Sequence, residues 1–446
     1  MKSLRRKIIL GVLAVVIVVT GAGVAWMLLP LRALGFAGGK PVLLKDYKGP
    51  SPVGVPAELR AADLVARGAY LAKAADCEVC HTAEDGQPYA GGRAFKTQFG
   101  TLYSPNITAD CETGIGDWSD ADFIRAVHKG VAKDGSRLYP AFPYESFTLI
   151  ADDDVRAIKA YLFSLPPVHA PARTDTLAFP FNRRWLMAFW SALYNPDQRF
   201  QPHEDRSPEW NRGAYLVEAL AHCGDCHTPR NLAQAPDNRQ KFAGAVTQGW
   251  RAYNITADQA SGIGDWTDDE LATYLTTGHA AGRGSASGPM AEAVDVSLNT
   301  LSRADIQAIV VYLRSVPAIS SPDLPAPKPT PASDTPKAMT ASFDPRGKQV
   351  FEGACASCHS WSGVSLLVDE ATLTGNRSVN DRSANNVAQI VLSGERRQTP
   401  NGVVMMPAFG PTYSDAEIAA VANYVVARFG ANVSSLTAKD VAKLRQ

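Results

Sequence analysis

Three short stretches of this 446-residue chain can do chemistry: CEVCH, CGDCH and CASCH. They set Cys77, Cys80 and His81, then Cys223, Cys226 and His227, then Cys355, Cys358 and His359, at one repeated spacing. Two cysteines on one helical turn can both add to the vinyl groups of a haem, while the adjacent histidine reaches the iron from one face. Six of the seven cysteines are used this way. A structural zinc site needs about four ligands, and each motif supplies three, with no second cysteine pair nearby. A thiol redox pair of the thioredoxin kind needs a βαβ setting, which the sequence does not offer. The spacing therefore predicts three covalently bound haems c.

A methionine thioether on the opposite face of the iron raises the reduction potential and is a common sixth ligand. Met290 lies 67 residues after Cys223, and Met406 lies 51 residues after Cys355. These two are the expected axial partners of His227 and His359, with Met406 preferred over Met405 because Pro407 follows it. In the first unit the matching position is Phe142, 65 residues after Cys77. A phenyl ring cannot ligate iron. The iron facing His81 is then five-coordinate or bound by another group, for which His128 and, in the following linker, Met187 are the candidates.

Repeated elements must position these groups. RGAYL occurs at 67–71 and again at 212–216, and NITADCETGIGDWSDADF from Asn106 returns as NITADQASGIGDWTDDEL from Asn254. A more divergent third unit opens with RGKQVF at Arg346 and closes with YSDAEIAAVANYV. Closing segments with helical spacing of apolar residues lie at 152–162, 302–313 and up to Val425. Capping patterns stand at Thr267 with Glu270, Ser302 with Asp305, and Ser414 with Glu417. No run of alternating strand pattern appears, so the units read as small and helical, with long Gly-rich loops. Residues 317–345 hold eight prolines and read as an extended spacer. The segment FPFNRRWLMAFWSALY between the first two units is too apolar for a solvated linker.

Lys plus Arg and Asp plus Glu each number 44, which excludes the strongly basic face a nucleic-acid partner demands. Lys2, Arg5, Arg6 and Lys7 precede an uncharged run from Ile8 to Leu29. At about 1.5 Å per residue that run reaches roughly 33 Å, enough for a hydrocarbon core of about 30 Å. The expectation is a single N-terminal span in a bacterial inner (cytoplasmic) membrane, with the lipid bilayer as a partner and the haem domains in the periplasm.

With RGAYL before CxxCH, HCGDCHTPRN, the FPFNRRW linker and an ending MPAFGPTYSDAEIAAVANYV, the chain resembles the three-haem cytochrome c subunits of bacterial membrane-bound dehydrogenases over essentially all of residues 60–430. The resemblance implies an all-α fold of three tandem class I-like cytochrome c domains after the N-terminal transmembrane helix. The divisions are a basic start, anchor and tether over 1–50, domains at 60–166, 207–317 and 344–430, an aromatic linker at 167–206, a Pro-rich linker at 318–343 and a tail at 431–446. It implies electron transfer from a catalytic dehydrogenase subunit, with a small iron–sulfur subunit as a further partner in some relatives, to ubiquinone or a terminal oxidase. Catalysis on substrate then belongs to the partner. Phe142 and the expected N-terminal anchor, both departures from the usual pattern of these subunits, tilt the expected partner towards a molybdopterin aldehyde dehydrogenase. Two other readings are a peroxidase-type haem enzyme using an open first haem, and a free-standing tethered shuttle.

Overall fold

The computed structural model describes residues 2–28, 42–43, 62–195, 197–321, 324, 344–399 and 402–445, with backbone alone at 2–9, 26–28 and 42–43. Each unit is built on a crossing of its opening and closing helices: Leu64–Ala74 on Asp152–Ser164, Pro208–Tyr215 on Arg303–Arg314, and Pro345–Val350 on Asp415–Phe429. One glycine per unit permits the crossing. A Cβ placed at Gly68, Gly213 or Gly347 would stand 1.8, 1.9 or 2.3 Å from the carbonyl oxygen of Ala157, Ala308 or Ala420. No side chain fits at that separation.

The helices begin where local chemistry satisfies their orphan N–H groups. Thr267 and Glu270 form a reciprocal capping box, as do Ser414 and Glu417, and as do Ser119 and Asp122 on the helix Asp120–Lys129. In the second unit one residue more than in the first separates RGAYL from the first cysteine. The opening helices of the second and third units run on into π-turns, at Leu216–Leu220 and Phe351–Cys355.

Two cores result. The first two units share one continuous apolar core, which includes Leu71, Ile158, Leu216 and Ile309, while the third has its own around Phe351, Val421 and Phe429. The aromatic linker packs one face only. Its helix Met187–Tyr194 buries Trp190 and Tyr194 against Tyr144 and Ala235, with Trp190 Nε1 donating to the Ala233 carbonyl at 2.8 Å.

Two expectations are corrected. The chain is not all-α: the described residues hold five two-stranded antiparallel sheets beside the helices, the longest pairing Glu395–Thr399 with Gly402–Met406. Others close the loops at Ala94–Thr97/Gly100–Tyr103 and Ala245–Thr247/Trp250–Ala252. Each is a hairpin of three to five residues per strand at these loops, too short to show an alternating pattern. The N-terminal span is likewise overturned. A helix runs over Lys2–Leu28, but among the described residues no helix is long and apolar enough to cross a membrane. Its described side chains cover residues 10–25, which rise about 24 Å against a core of about 30 Å. The inner-membrane location, the periplasmic placement and the bilayer as partner rested on that span and fall with it. Most of the Pro-rich linker, 325–343, lies outside the described residues.

Candidate haem sites

Each CxxCH motif forms a single helical turn directly after the opening helix. In the first unit Asp76 takes a left-handed conformation (φ 55°), which ends one helix and starts the turn Cys77–Cys80. Cys77, Cys223 and Cys355 are half-buried at the ends of their opening helices. Burial pushes the thiols of Cys77, Cys80 and Cys223 up to about 12, and those of Cys226 and Cys355 to about 11. A redox-active CxxC pair depends on the opposite shift, towards thiolate.

The three histidines share one support. Nδ1 of His81 lies 2.8 Å from the Pro105 carbonyl oxygen, Nδ1 of His227 lies 2.6 Å from that of Tyr253, and Nδ1 of His359 lies 2.6 Å from that of Ala371. Nδ1–H donating to a carbonyl fixes the tautomer and leaves the Nε2 lone pair for a metal. Burial holds all three imidazoles below their ordinary pKa, hence neutral. Among the described residues no group of three or more His, Cys, Asp or Glu is placed to hold a metal ion by itself. Two thiols and one imidazole per turn fit a prosthetic group that brings its own equatorial ligands, as haem does.

Met290 sits in the short helix Pro289–Glu292 and packs on the same core as Cys223. Met406 ends the hairpin strand Gly402–Met406 and packs on the core that takes in Cys355, whereas Met405 is 65% exposed. Phe142 is half-buried, packs on the core that includes Cys77, and meets Phe147 edge-on at 5.3 Å. Met187 packs with Leu138 and Phe142 on the linker cluster.

His128 is fully buried, its Nδ1 against the Arg199 guanidinium. Burial and the Arg199 charge push its pKa well down. Arg199, itself buried, also bonds Asp152 at 3.1 Å and the Gln198 carbonyl at 3.0 Å. The structure thus engages one nitrogen of His128 in holding linker to unit.

A second reciprocity escaped the sequence reading. Arg212 clasps Asp305 of its own unit at 2.8 and 2.7 Å, and the hydroxyl of Tyr70, from the first unit, donates to the same carboxylate at 2.6 Å. In mirror fashion Arg67 pairs with Asp154, and Tyr215 of the second unit donates to Asp154 at 2.6 Å while accepting from Ala151 N–H at 3.0 Å. The repeated Arg and Tyr of RGAYL, together with an aspartate in the first turn of each closing helix, were the available signal.

The haem turns are exchanged in the same way. Ser146, on the loop carrying Phe142, donates to Asp225 within the second CxxCH at 3.3 Å. Arg93 joins the Val79 carbonyl within the first CxxCH (3.0 Å) to Glu292, two residues after Met290 (2.6 Å). Arg230 bonds the Asp225 carbonyl at 2.8 Å and approaches Glu145 at 3.5 Å. The third unit docks on the second: Asn386 bonds both the N–H and the carbonyl of Arg251, Gly288 N–H donates to Glu395 at 2.8 Å, and Ser285 donates to the Glu370 carbonyl at 3.3 Å. Glu370 adjoins Ala371, the partner of His359.

Comparison with known proteins gives the family. The family model "Cytochrome c" matches residues 65–166, and "Cytochrome C oxidase, cbb3-type, subunit III" matches 344–425. The chain is 39% identical over 401 residues to the fructose dehydrogenase cytochrome subunit of Gluconobacter japonicus, covering 85% of this chain and 82% of that one. It is 38% identical over 404 residues to the gluconate 2-dehydrogenase cytochrome c subunit of Pantoea cypripedii, covering 86% and 90%. It is 42% identical over 373 residues to a subunit of the nicotinate dehydrogenase of Pseudomonas putida, covering 83% of this chain but 31% of that relative, so the chain spans about a third of its length. The chain therefore belongs to the family of cytochrome c subunits of bacterial dehydrogenases, proteins with covalently bound haem c.

Proposed function

We propose that this chain is the electron-carrying subunit of a dehydrogenase complex, with three haems c on Cys77/Cys80, Cys223/Cys226 and Cys355/Cys358. Haem c supplies reversible one-electron chemistry when bound. The observation that carries the reading is the threefold device of a cysteine turn followed by a histidine whose Nδ1 is tied to a backbone carbonyl. His81, His227 and His359 would each supply an imidazole to the iron, Met290 and Met406 would supply thioethers to the second and third haems, and Phe142 would offer the first none. The polar bridges through Ser146–Asp225 and Arg93–Glu292 keep the first two motifs in register, and those through Ser285, Gly288 and Arg251 keep the third against the second. The second motif thus stands between the other two, and electrons enter from a catalytic subunit and leave to a quinone or terminal oxidase. The names of the relatives support a dehydrogenase as the donor.

The test is purification of the tagged chain with whatever subunit accompanies it. Three haems per chain by pyridine haemochrome, and their reduction when the co-purified dehydrogenase receives its substrate, are expected. Two haems, or haems that stay oxidised with substrate while dithionite reduces them, would refute the proposal.

A further inference from the structure

The linker between the first two units buries one face and leaves the other bare. Phe179, Trp185, Phe189 and Leu193 are 74%, 62%, 65% and 54% exposed, and Phe181 joins them at 41%. Single exposed apolar residues are ordinary, but five within fifteen positions form a patch of the kind that marks an interaction site. The patch is held rigid. Phe181 stacks on Phe99 at 4.1 Å and its carbonyl accepts from the Tyr139 hydroxyl at 2.8 Å; Trp185 meets Phe189 edge-on at 6.1 Å. Arg184 is tied to Asp175 at 2.6 Å and to the Arg137 carbonyl at 3.1 Å. Fixed aromatic and arginine side chains are the anchors that dominate protein–protein interfaces, because little side-chain entropy is left to lose.

Charge indicates the partner. Arg137, Arg173 and Arg183 surround the patch, and among the described residues none of the three has a carboxylate within ion-pair distance; Arg173 and Arg183 lie over the rings of Tyr103 and Phe179 at 5.7 and 5.8 Å. A cavity of about 330 Å³ opens beside them between Tyr139, Arg173, Asp175 and Arg184, where Asp175 is taken up by Arg184 and Arg173 is left without an ion-pair partner among the described residues. The buried face of the same segment rests on the loop 138–147 that carries Phe142.

We infer that this face is the docking surface for the catalytic subunit of the dehydrogenase, which would present an apolar groove rimmed by Asp and Glu and would lie beside the loop of Phe142. The inference rests on the proposed function. It is tested on the whole complex, with the dehydrogenase subunit that co-purifies with the tagged wild-type chain, identified by its substrate-dependent dye reduction. Trp185→Ser with Phe189→Ser is expected to keep the haem content and spectrum but to lose at least nine-tenths of the bound dehydrogenase. Arg183→Glu, a surface change that leaves the fold alone, is expected to lower retention several-fold at low salt, with the gap to wild type closing as salt is raised. Retention at the wild-type level in both variants overturns the surface and leaves the functional reading standing. A wild-type chain that carries no dehydrogenase overturns both. Variants that keep the dehydrogenase but no longer float with phosphatidylethanolamine–phosphatidylglycerol vesicles would assign the patch to a bilayer instead and overturn the protein partner.

Discussion

Tyr215→Phe isolates what the exchanged tyrosines contribute. The ring stays in its fully buried place, so no cavity opens; what is lost is one hydroxyl with two bonds, to Asp154 at 2.6 Å and from Ala151 N–H at 3.0 Å. A bond to a charged acceptor contributes about 1.5–3 kcal/mol, and an orphaned buried N–H costs about 1–3 kcal/mol. Asp154 keeps its pairing with Arg67, so the two costs overlap only partly and about 3 kcal/mol is expected. At roughly 2–4 °C per kcal/mol for a unit pair of this size, the transition that melts the first two units should fall by about 6–12 °C. Calorimetry of the haem-loaded chain reads it directly, because the third unit is an internal control: Gln349 stands where the others have tyrosine, and its transition should not move. Tyr70→Phe removes the matching pair of bonds, to Asp305 at 2.6 Å and from Ser302 N–H at 3.0 Å, but at a half-buried site where water can reach the freed N–H, so about 1–2 kcal/mol is expected. The pH dependence has a definite sign. Burial, with the Asp305 charge beside it, pushes the Tyr70 hydroxyl up to about 12. An unfolded tyrosine releases its proton near 10, so the contribution is complete below that pH and is lost as pH rises from 10 to about 12. A shift below about 1 °C for Tyr215→Phe, or an equal shift in the third unit's transition, would refute the clamp.

Three further outcomes follow. Phe142→Met should supply a thioether to the first haem and raise its potential in spectroelectrochemical titration, with any high-spin or CO-binding fraction disappearing; an unchanged spectrum and potential would mean the loop does not reach the iron. Gly213→Ala sets a Cβ 1.9 Å from the Ala308 carbonyl and should cost at least about 3 kcal/mol, read as a lower melting temperature and poor haem incorporation, whereas Gly353→Ala, at a helical position where nothing lies within 4 Å, should leave both unchanged. Burial and the neighbouring Asp225 push the Glu145 carboxyl up to about 8, against the opposing charge of Arg230. The folded chain therefore holds a proton that the unfolded chain has released above about 4.5, so stability falls as pH rises from there to 8. Glu145→Gln should flatten that slope in melting temperature against pH, and an identical slope would rule the residue out.

What could be read from the sequence was whatever depends on near neighbours in the chain. Cysteine spacing and the caps at Thr267 and Ser414 are set within five residues, and the helical units follow from apolar periodicity. What escaped depends on contacts between units. Ser302 caps its helix as the pattern suggested, accepting from Asp305 N–H, but the Asp305 carboxylate does not return the bond; Arg212 and Tyr70 take it instead. The hairpin loops read as Gly-rich coil because strands of three to five residues carry too few alternations. The run from Ile8 to Leu29 was read by length and hydropathy alone, and the helix over Lys2–Leu28 did not meet the requirements of a span among its described residues. His128 was singled out for its type, and the buried Arg199 that occupies its Nδ1 comes from 71 residues away.

The exchanged tyrosines also bear on how such a chain can change over generations. A substitution in RGAYL of one unit is felt by the aspartate of the other, so a change in either copy acts on both. The third copy owes nothing to that exchange: Gln349 replaces the tyrosine, and Arg346 turns to its neighbour Asp344 at 2.9 Å. A change in its RGKQV is therefore not felt by the aspartate of another unit, and the third copy is tied to the second instead through Asn386 on Arg251 and Glu395 on Gly288.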